Sequence, residues 1–424
     1  MPHLLPPPWP GLMEIEAECV SRARVEQRID VTDAAPTRFV EELLRVPLPH
    51  EEGGLALLRK VLPPDALEAV GGLRGAVLLV HGFAQNHRTW HLNGRSLPNY
   101  LAARGYDTYC LDLRGQGLSR ARFGSPMPDH PDDYIYGDMP AAVSAVLART
   151  PCPQVTLVGH SMGGAICYAC APFLAEAGAL SGVVTFAAIF GMARDGDFMH
   201  QLCRLGSIAH RLGVPGDVSV PLPWIARRLL MPLSKLLDHR AAWLLPFHGW
   251  YPGTISPELL DQQLGAGMDQ VTVGVTLTLA RWGVEGYFYD RMRGDYVEHF
   301  RQLRDVPVLV LAADDDLLVT PEDARQAVAW AASEDVTFRC FGADDGGHGW
   351  GHLDIILGDD APRLVWPEVG AWLDARCPDA RYAPGPELSA SVEDPRPITP
   401  QLRPAAERAR RLTRRTTAQP GTTT

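Results

Sequence analysis

Residues 155–164 constrain the fold of this chain more than any other segment. An apolar, β-branched run ends at Val158 and gives way to Gly159-His160-Ser161-Met162-Gly163, and small residues suited to a helix follow. A serine in such a Gly-x-Ser-x-Gly run lies on a strained turn between a strand and a helix, with its hydroxyl exposed at the edge of a parallel sheet. Glycine is needed at 159 and 163 because a Cβ there would collide with the neighbouring strand or helix. We therefore take Ser161 as the candidate nucleophile.

The distribution of apolar residues predicts an α/β fold. Six short apolar runs have the length and composition of buried parallel strands, and helix-length intervals separate most of them. This alternation predicts a doubly wound, mostly parallel sheet. Two earlier runs between Phe39 and Leu62 predict a further pair of strands, linked by a turn at Gly53-Gly54. The six predicted parallel strands are Gly75 to Val80, Tyr106 to Leu111, Val155 to Val158, Gly182 to Ala187, Val306 to Ala312 and Val336 to Phe341.

We expect one large domain with an insertion and two tails, because single α/β domains with insertions often reach the size of this chain of 424 residues. The predicted parts are an N-terminal arm (1–35), a first core segment (36–190), a helical cap or lid inserted at 191–300, a second core segment (301–377) and a disordered C-terminal tail (378–424). The insertion is rich in Trp, Leu and Arg, with helical spacing at 224–230 and 233–245. Its aromatic side chains either pack on the core or line an apolar substrate site; they include Trp224, Trp243, Phe247, Trp250 and Trp282.

Charge and composition exclude several classes of protein. A net charge of -11 disfavours a nucleic-acid-binding protein, since binding a polyanion needs a basic face. No apolar stretch reaches the roughly 18 to 20 residues that cross a bilayer, so we expect no integral membrane protein. The first twenty residues hold no Lys or Arg and are interrupted by prolines, unlike a signal peptide, and we expect a cytoplasmic location. The eight cysteines lack paired metal-site spacing, so we expect mostly reduced thiols.

A serine nucleophile needs a base to take its proton and an acidic residue to orient that base. In serine hydrolases with a sheet of this kind, the acid follows the serine in the chain and the histidine comes last. An acidic loop follows the predicted strand at 306–312, and ligand sites lie at that edge of such sheets. We favour Asp316 in this loop as the orienting residue, with Asp315 as the alternative. A purely structural interpretation is that the loop caps a helix beginning near Pro321.

Two histidines after the last predicted strand compete for the role of the base. His352 directly precedes an apolar helical stretch, the usual place for this residue, and is our first choice. His348, in a glycine-rich loop, is the alternative and would otherwise support the site or contact substrate. Backbone N–H groups must also stabilise the negative charge that develops on the substrate oxygen. The candidates are Met162, immediately after the nucleophile, and Phe83, in the loop that follows the predicted strand ending at Val80.

Taken in order, these motifs resemble those of the α/β-hydrolase superfamily over residues 55–376. They are His81-Gly82-Phe83, the run Asp-Leu-Arg-Gly-Gln-Gly-Leu-Ser at 112–119, the serine turn at 159–163, the acidic loop at Asp316 and the closing His352. Further segments, above all His352 to Pro362, are similar to the acid-lipase branch, which includes lysosomal and gastric lipases. The resemblance implies an α/β-hydrolase fold and an ester hydrolase, and the acid-lipase features support His352 over His348.

We therefore expect a serine hydrolase that cleaves carboxylic esters with an apolar acyl or alcohol part. Ser161 attacks the carbonyl, His352 transfers protons, Asp316 orients His352, and water releases the acyl-enzyme, with no need for a metal or organic cofactor. Thioester hydrolysis, C–C bond hydrolysis and acyl transfer on the same scaffold are alternatives, and so is a non-catalytic binding protein. Contact of the insertion with a lipid surface is a further prediction from its Trp, Leu and Arg segments.

Overall fold

The computed structural model describes residues 9–33, 35–49, 51–191, 198–212, 215–216, 218–231, 238, 249–286, 288–377 and 381–383. Within these residues nine strands form one sheet. All six predicted parallel strands and the predicted early pair are present, with ends shifted by at most two residues at the parallel strands. The strands are β1 (Glu18–Gln27), β2 (Thr37–Pro47), β3 (Gly54–Val61), β4 (Gly75–Val80), β5 (Tyr106–Asp112), β6 (Val155–His160), β7 (Leu180–Phe186), β8 (Val308–Ala313) and β9 (Val336–Phe341).

The order of the strands across the sheet is β1-β2-β3-β5-β4-β6-β7-β8-β9. Strands β1, β2, β3 and β5 pair antiparallel in succession, and every later pair is parallel. The chain therefore reverses its winding direction at β4, and the carboxyl ends of β4, β6, β8 and β9 meet at one edge. Ligand sites of open α/β sheets lie at such an edge, next to the point where the strand order reverses.

Helices cover both faces of the sheet, which confirms the predicted doubly wound α/β architecture. Alternate residues of β4 enter the two layers: Leu78 and Val80 pack with helices α4 and α5, while Val77 and Leu79 pack with α2 and α14. The helices are α1 (Pro64–Ala69), α2 (Leu97–Ala103), α3 (Gly117–Ala121), α4 (Met139–Arg149), α5 (Met162–Glu176), α6 (Phe198–Arg211), α7 (Leu222–Ile225), α8 (Pro257–Gln262), α9 (Val273–Glu285), α10 (Tyr296–Phe300), α11 (Pro321–Trp330), α12 (Asp354–Leu357), α13 (Ala361–Leu364) and α14 (Trp366–Arg376).

The prediction of an arm over residues 1–35 is wrong for residues 18–27, which form β1 along the antiparallel edge of the sheet. Ala23 and Val25 face the core, whereas Arg22 donates to the Glu42 carboxylate of β2 at 2.6 Å. Residues 1–35 show no periodic apolar pattern in the sequence, which favoured an arm. β1 is instead held by its pairing with β2, and such a long-range partner is not visible in a local pattern.

The predicted disordered tail from residue 378 also needs a correction at residues 381–383. Tyr382 and Leu73 exchange two backbone hydrogen bonds of 2.9 and 3.0 Å and so form an antiparallel bridge. Leu73 lies just before β4, where its N–H and C=O groups have no strand partner, and Tyr382 satisfies both. The remaining predicted tail residues lie outside the described part of the chain.

The described part of the insertion at 191–300 is mostly helical, with α6 to α10 and two π-helical turns at Ala226–Leu230 and Gln263–Gly267. Apart from residue 238, the segment predicted as a helix at 233–245 lies outside the described residues, as do the side chains of Trp243 and Phe247. Leu205 and Ile208 of α6 and Leu212, the residue directly after it, are exposed on one side, and contact with a lipid surface stays a prediction. Among the described residues, no helix combines the length and apolar character needed to cross a bilayer.

Candidate active site

Ser161 occupies the turn between β6, which ends at His160, and α5, which begins at Met162. Its backbone has φ 53° and ψ -122°, a conformation that a residue with a Cβ rarely adopts. The Ser161 N–H donates to Phe186 O at 3.0 Å, which ties the turn to the end of β7. Strained residues of this kind persist only where the surrounding structure holds them, and they concentrate at functional sites. The geometry matches the strained turn expected from the Gly-x-Ser-x-Gly run.

Glycines 159 and 163 allow the turn to pack closely against its neighbours. A Cβ on Gly159 would lie 2.5 Å from Gly164 Cα, in the helix that follows the turn. A Cβ on Gly163 would overlap the carbonyl oxygens of Val80 and His81, at the end of β4. The predicted collisions with a helix and a strand are therefore confirmed, and the obstructing atoms belong to backbone that cannot rotate away.

Substitution Gly163→Ala is expected to lower the free energy of unfolding by about 3 kcal/mol, because the added methyl must displace two backbone carbonyls. Urea denaturation measures the difference. Gly265→Ala is the matched control, since a Cβ there would lie 3.7 Å from the nearest atoms, both in the side chain of Met231, an ordinary van der Waals distance. Equal destabilisation by the two substitutions would contradict a steric role for Gly163.

The structure brings Asp316 and His352 together. Asp316 follows β8, and its Oδ2 lies 2.7 Å from Nδ1 of His352. The other carboxylate oxygen, Oδ1, accepts the backbone N–H groups of Leu318 at 2.8 Å and Val319 at 2.9 Å. Asp316 is 1% exposed and His352 is 5% exposed. A buried carboxylate held by two N–H donors keeps its orientation, so it can fix the ring of His352 with Nε2 facing away from the carboxylate.

The two alternative residues, Asp315 and His348, have other contacts. The Asp315 carboxylate lies beside Gly349, where a Cβ would overlap its Oδ2, and the Asp315 N–H donates to Trp350 O at 2.9 Å. His348 places Nε2 3.1 Å from Asp360 Oδ2 and Nδ1 2.8 Å from Gly349 O. Both ring nitrogens of His348 thus face oxygens of its own loop region. The geometry favours Asp316 and His352 as the acid and base candidates.

His160 connects the serine turn to the loop of His352. The two imidazole rings have centroids 4.6 Å apart, and His160 Nε2 lies 3.1 Å from His352 O. On its other side, His160 Nδ1 lies 3.0 Å from Gln85 Oε1. Burial, and then the neighbouring His352, lower the pKa of His160 well below its usual value, so the ring is neutral at pH 7. A neutral imidazole carries one N–H and donates to only one of these two oxygens.

Gln85 is a site residue that the sequence did not reveal. Its Oε1 accepts the N–H of Gly82 at 3.1 Å and also faces His160, so one amide links the loop after β4 to the serine turn. Gly82 lies so close to Ser161 that a Cβ on it would be 3.1 Å from the Cβ of that serine. No local signal in the sequence marks this contact, because Gln85 and His160 are 75 residues apart.

The two candidate oxyanion donors are the backbone N–H groups of Phe83 and Met162, the residues that directly follow Gly82 and Ser161 in the chain. Met162 is the first residue of α5, where backbone N–H groups have no intrahelical acceptor and the helix dipole favours negative charge. Phe83 follows Gly82 in the loop after β4. Within the described part of the chain, no hydrogen bond uses the N–H of Phe83 or of Met162. Both N–H groups are therefore available to an anionic oxygen formed at Ser161.

His81 fixes the peptide that carries the N–H of Phe83. His81 Nε2 accepts the N–H of Leu113 at 3.2 Å, so Nδ1 is the protonated nitrogen and donates to Gly82 O at 3.0 Å. Burial, the largest influence, lowers the pKa of His81 and keeps this neutral tautomer. Because a peptide group is planar, holding the carbonyl of Gly82 also orients the N–H of Phe83 on its opposite side.

Asp354 holds the loop of His352 through hydrogen bonds from backbone N–H groups, a role that the sequence analysis did not assign. Its Oδ2 accepts the N–H groups of Gly351 at 2.6 Å and Tyr251 at 2.7 Å. Leu353 N–H donates to Gly249 O at 2.8 Å, so the segment near residue 250 is fastened along the loop. Burial raises the pKa of Asp354 to about 7, against the opposing effect of these N–H donors. The signal available in the sequence was the resemblance around His352-Leu353-Asp354.

Comparison with known proteins agrees with this architecture. A family model described as the alpha/beta hydrolase fold matches residues 75–184, which include the loop after β4 and the serine turn. The chain belongs to the α/β-hydrolase superfamily. Lipase member N of Homo sapiens is 22% identical over 360 residues, covering 76% of this chain and 86% of that protein. A monoglyceride lipase of Saccharomyces cerevisiae is 31% identical over 102 residues, covering 23% of this chain and 31% of that protein.

The solved structure of a lipase has the same fold as this chain. The soluble variant of the Saccharomyces cerevisiae monoglyceride lipase, solved with a substrate analogue, has a TM-score of 0.50 at 15% sequence identity. The match covers 78% of this chain and 95% of that chain. This α/β hydrolase is thus similar to lipases both in sequence and in fold.

Proposed function

We propose that the chain is a serine hydrolase that cleaves carboxylic esters with an apolar acyl or alcohol part. The observation that carries the proposal is the 2.7 Å contact between Asp316 Oδ2 and His352 Nδ1, in a loop that packs against the strained Ser161 turn. A serine, a buried acid and a base, in this chain order, are the groups that acyl transfer to a serine requires in a sheet of this kind.

In this mechanism the Ser161 hydroxyl attacks the ester carbonyl while His352 Nε2 takes its proton. The N–H groups of Phe83 and Met162 stabilise the oxyanion of the tetrahedral intermediate. His352 then gives the proton to the departing alcohol, which leaves an acyl group on Ser161. A water molecule, deprotonated by His352, attacks that acyl group and releases the carboxylic acid and the free serine. Asp316 stays ionised throughout and stabilises the imidazolium.

Apolar side chains beside Met162 support a lipophilic substrate. They surround a narrow gap between α5 and the insertion that has room for about one water molecule, and all the lining side chains are apolar or aromatic. Leu279 and Trp282 line the gap from α9 of the insertion, and Ile166 lines it from α5. Apolar walls next to a candidate oxyanion donor favour an acyl chain over a polar group. The relatives described above, which are lipases, agree with this class of substrate.

Hydrolysis of a series of p-nitrophenyl esters, from acetyl to palmitoyl, tests the proposal. We expect activity that increases with chain length, because each buried methylene adds about 0.8 kcal/mol of binding free energy. Activity confined to the acetyl ester would oppose an apolar acyl site. If the folded protein cleaves none of the esters, thioesters, C–C substrates, acyl acceptors other than water or a binding role take precedence.

A further inference from the structure

One segment of the insertion, residues 266–271, packs directly against the loop that carries Phe83. The N–H of Asp269 donates to Ala84 O at 2.7 Å, and Met268 forms an antiparallel bridge with Gln85. Asn86 Nδ2 donates to Ala266 O at 3.0 Å. We call residues 82–87 the oxyanion loop and residues 266–271 the docking segment. Consecutive residues of the oxyanion loop therefore have partners in the docking segment.

The carboxylate of Asp269 adds a second connection to the core. Its Oδ2 accepts the N–H of Gly117 at 2.6 Å and the side-chain amide of Asn86 at 3.3 Å. Its Oδ1 accepts the N–H of Gln270 at 2.9 Å, which fixes the orientation of the carboxylate. Asp269 thus joins three parts of the chain: the docking segment, the oxyanion loop and the first residue of α3.

The oxyanion loop needs such a support because Ala84 has a φ of 58°. This left-handed conformation is unfavourable for any residue with a Cβ, and it persists only where the surrounding contacts impose it. The carbonyl of Ala84 is the acceptor of the Asp269 N–H, so the bond acts directly at the strained residue. Without it, Ala84 is free to return to a negative φ, and that rotation would move Phe83 and Gln85 on either side.

We infer that Asp269 is a positioning residue that holds the oxyanion loop in its competent conformation, so that the insertion completes the oxyanion hole as well as covering the substrate. This inference rests on the proposed function, because it assigns the N–H of Phe83 to the oxyanion. It makes the rate of acyl transfer depend on the position of the docking segment. Movement of that segment away from the core would release the loop, while the Asp316–His352 pair would stay in place.

Kinetics of Asp269→Ala test the inference. The variant keeps the backbone N–H that donates to Ala84 O, but it loses the carboxylate that ties the docking segment to Gly117 and Asn86 and so holds that N–H in place. We expect kcat to fall by about 10- to 100-fold with little change in KM, since a small misplacement of a catalytic donor raises the barrier without removing ground-state binding. Affinity for a trifluoromethyl ketone, whose serine adduct carries an oxyanion, should fall by a similar factor. Glu258→Ala removes an exposed carboxylate from α8 of the same insertion and is the matched control, with unchanged kinetics.

A rescue variant separates positioning from general destabilisation. Glycine adopts a positive φ without the penalty that a Cβ brings. Asp269→Ala combined with Ala84→Gly should therefore recover part of the lost kcat, although neither substitution restores a hydrogen bond. A purely structural role for Asp269 gives the opposite result, because a second substitution to glycine would only weaken the fold further. Failure of the double variant to recover any activity would overturn the inference.

Hydrogen–deuterium exchange gives a readout that does not depend on the substrate. Amides of residues 82–87 should exchange faster in Asp269→Ala than in Glu258→Ala or the wild type, while those of β4 stay protected. Unchanged exchange of the oxyanion loop would overturn the inference even if ester hydrolysis is established. If the wild type cleaves no ester but the loop is released as described, the proposed function fails while the structural coupling stands.

Discussion

Replacement of Ser161 by alanine is expected to lower kcat for ester hydrolysis by about 10⁶-fold, the size of loss that follows when a serine nucleophile is removed. Alanine keeps the Cβ of serine, so the strained φ of 53° and the N–H bond to Phe186 O are retained. The loss should therefore come from chemistry and not from the fold. The measurement is the initial rate on the best p-nitrophenyl ester, with the thermal unfolding midpoint as a check on folding.

A fluorophosphonate probe supplies the control for this prediction. It should form a covalent adduct with the wild type, located at Ser161 by peptide mass analysis, and no adduct with Ser161→Ala. Residual hydrolysis in the variant at more than about 10⁻³ of the wild-type rate would point to another nucleophile or to a contaminating enzyme. A folded wild type that reacts with neither probe nor ester would support a non-catalytic binding protein of the same fold.

The parts of the fold that the sequence predicted are those with strong local signals. Each parallel strand is a short apolar run between turn residues, so six of them could be placed from pattern alone. Strand β1 was missed because residues 18–27 show no periodic apolar pattern, and their pairing with β2 is a contact between distant segments. The bridge of Tyr382 to Leu73 was missed for the same reason, since pairing between distant segments leaves no periodicity.

Some residues of the candidate site could likewise be predicted from the sequence, and others could not. Ser161 could be chosen because its turn needs glycines at fixed positions, and Asp316 and His352 because they follow strands whose ends share one edge. The choice of Asp316 over Asp315, by contrast, depends on which carboxylate turns toward His352, and this follows from the hydrogen bonds to Leu318 and Val319. Gln85 and Asp269 act through contacts across loops, which only the folded chain brings together.

Asp316→Asn should lower kcat by about 10⁴-fold, because the asparagine would favour the wrong tautomer of His352. Asp316 Oδ1 faces two N–H donors, so the carbonyl oxygen of an asparagine would take that place. Its NH2 group would then face His352 Nδ1, where it can only donate. The imidazole would carry its proton on Nε2 and could no longer accept the proton of Ser161. The measurement is kcat for the same ester, with folding checked by thermal unfolding.

Asp315→Asn is the matched control, since it makes the same chemical change one residue away. The Asp315 carboxylate lies beside Gly349 and makes no hydrogen bond with His352 among the described residues, so kcat should stay near the wild-type value. The pair of variants thus separates a local electrostatic effect from the orientation of the base. A large loss in Asp315→Asn with normal activity in Asp316→Asn would reverse the assignment. Equal, modest losses in both would mean that the acidic loop acts through its charge alone, without selecting a tautomer of His352.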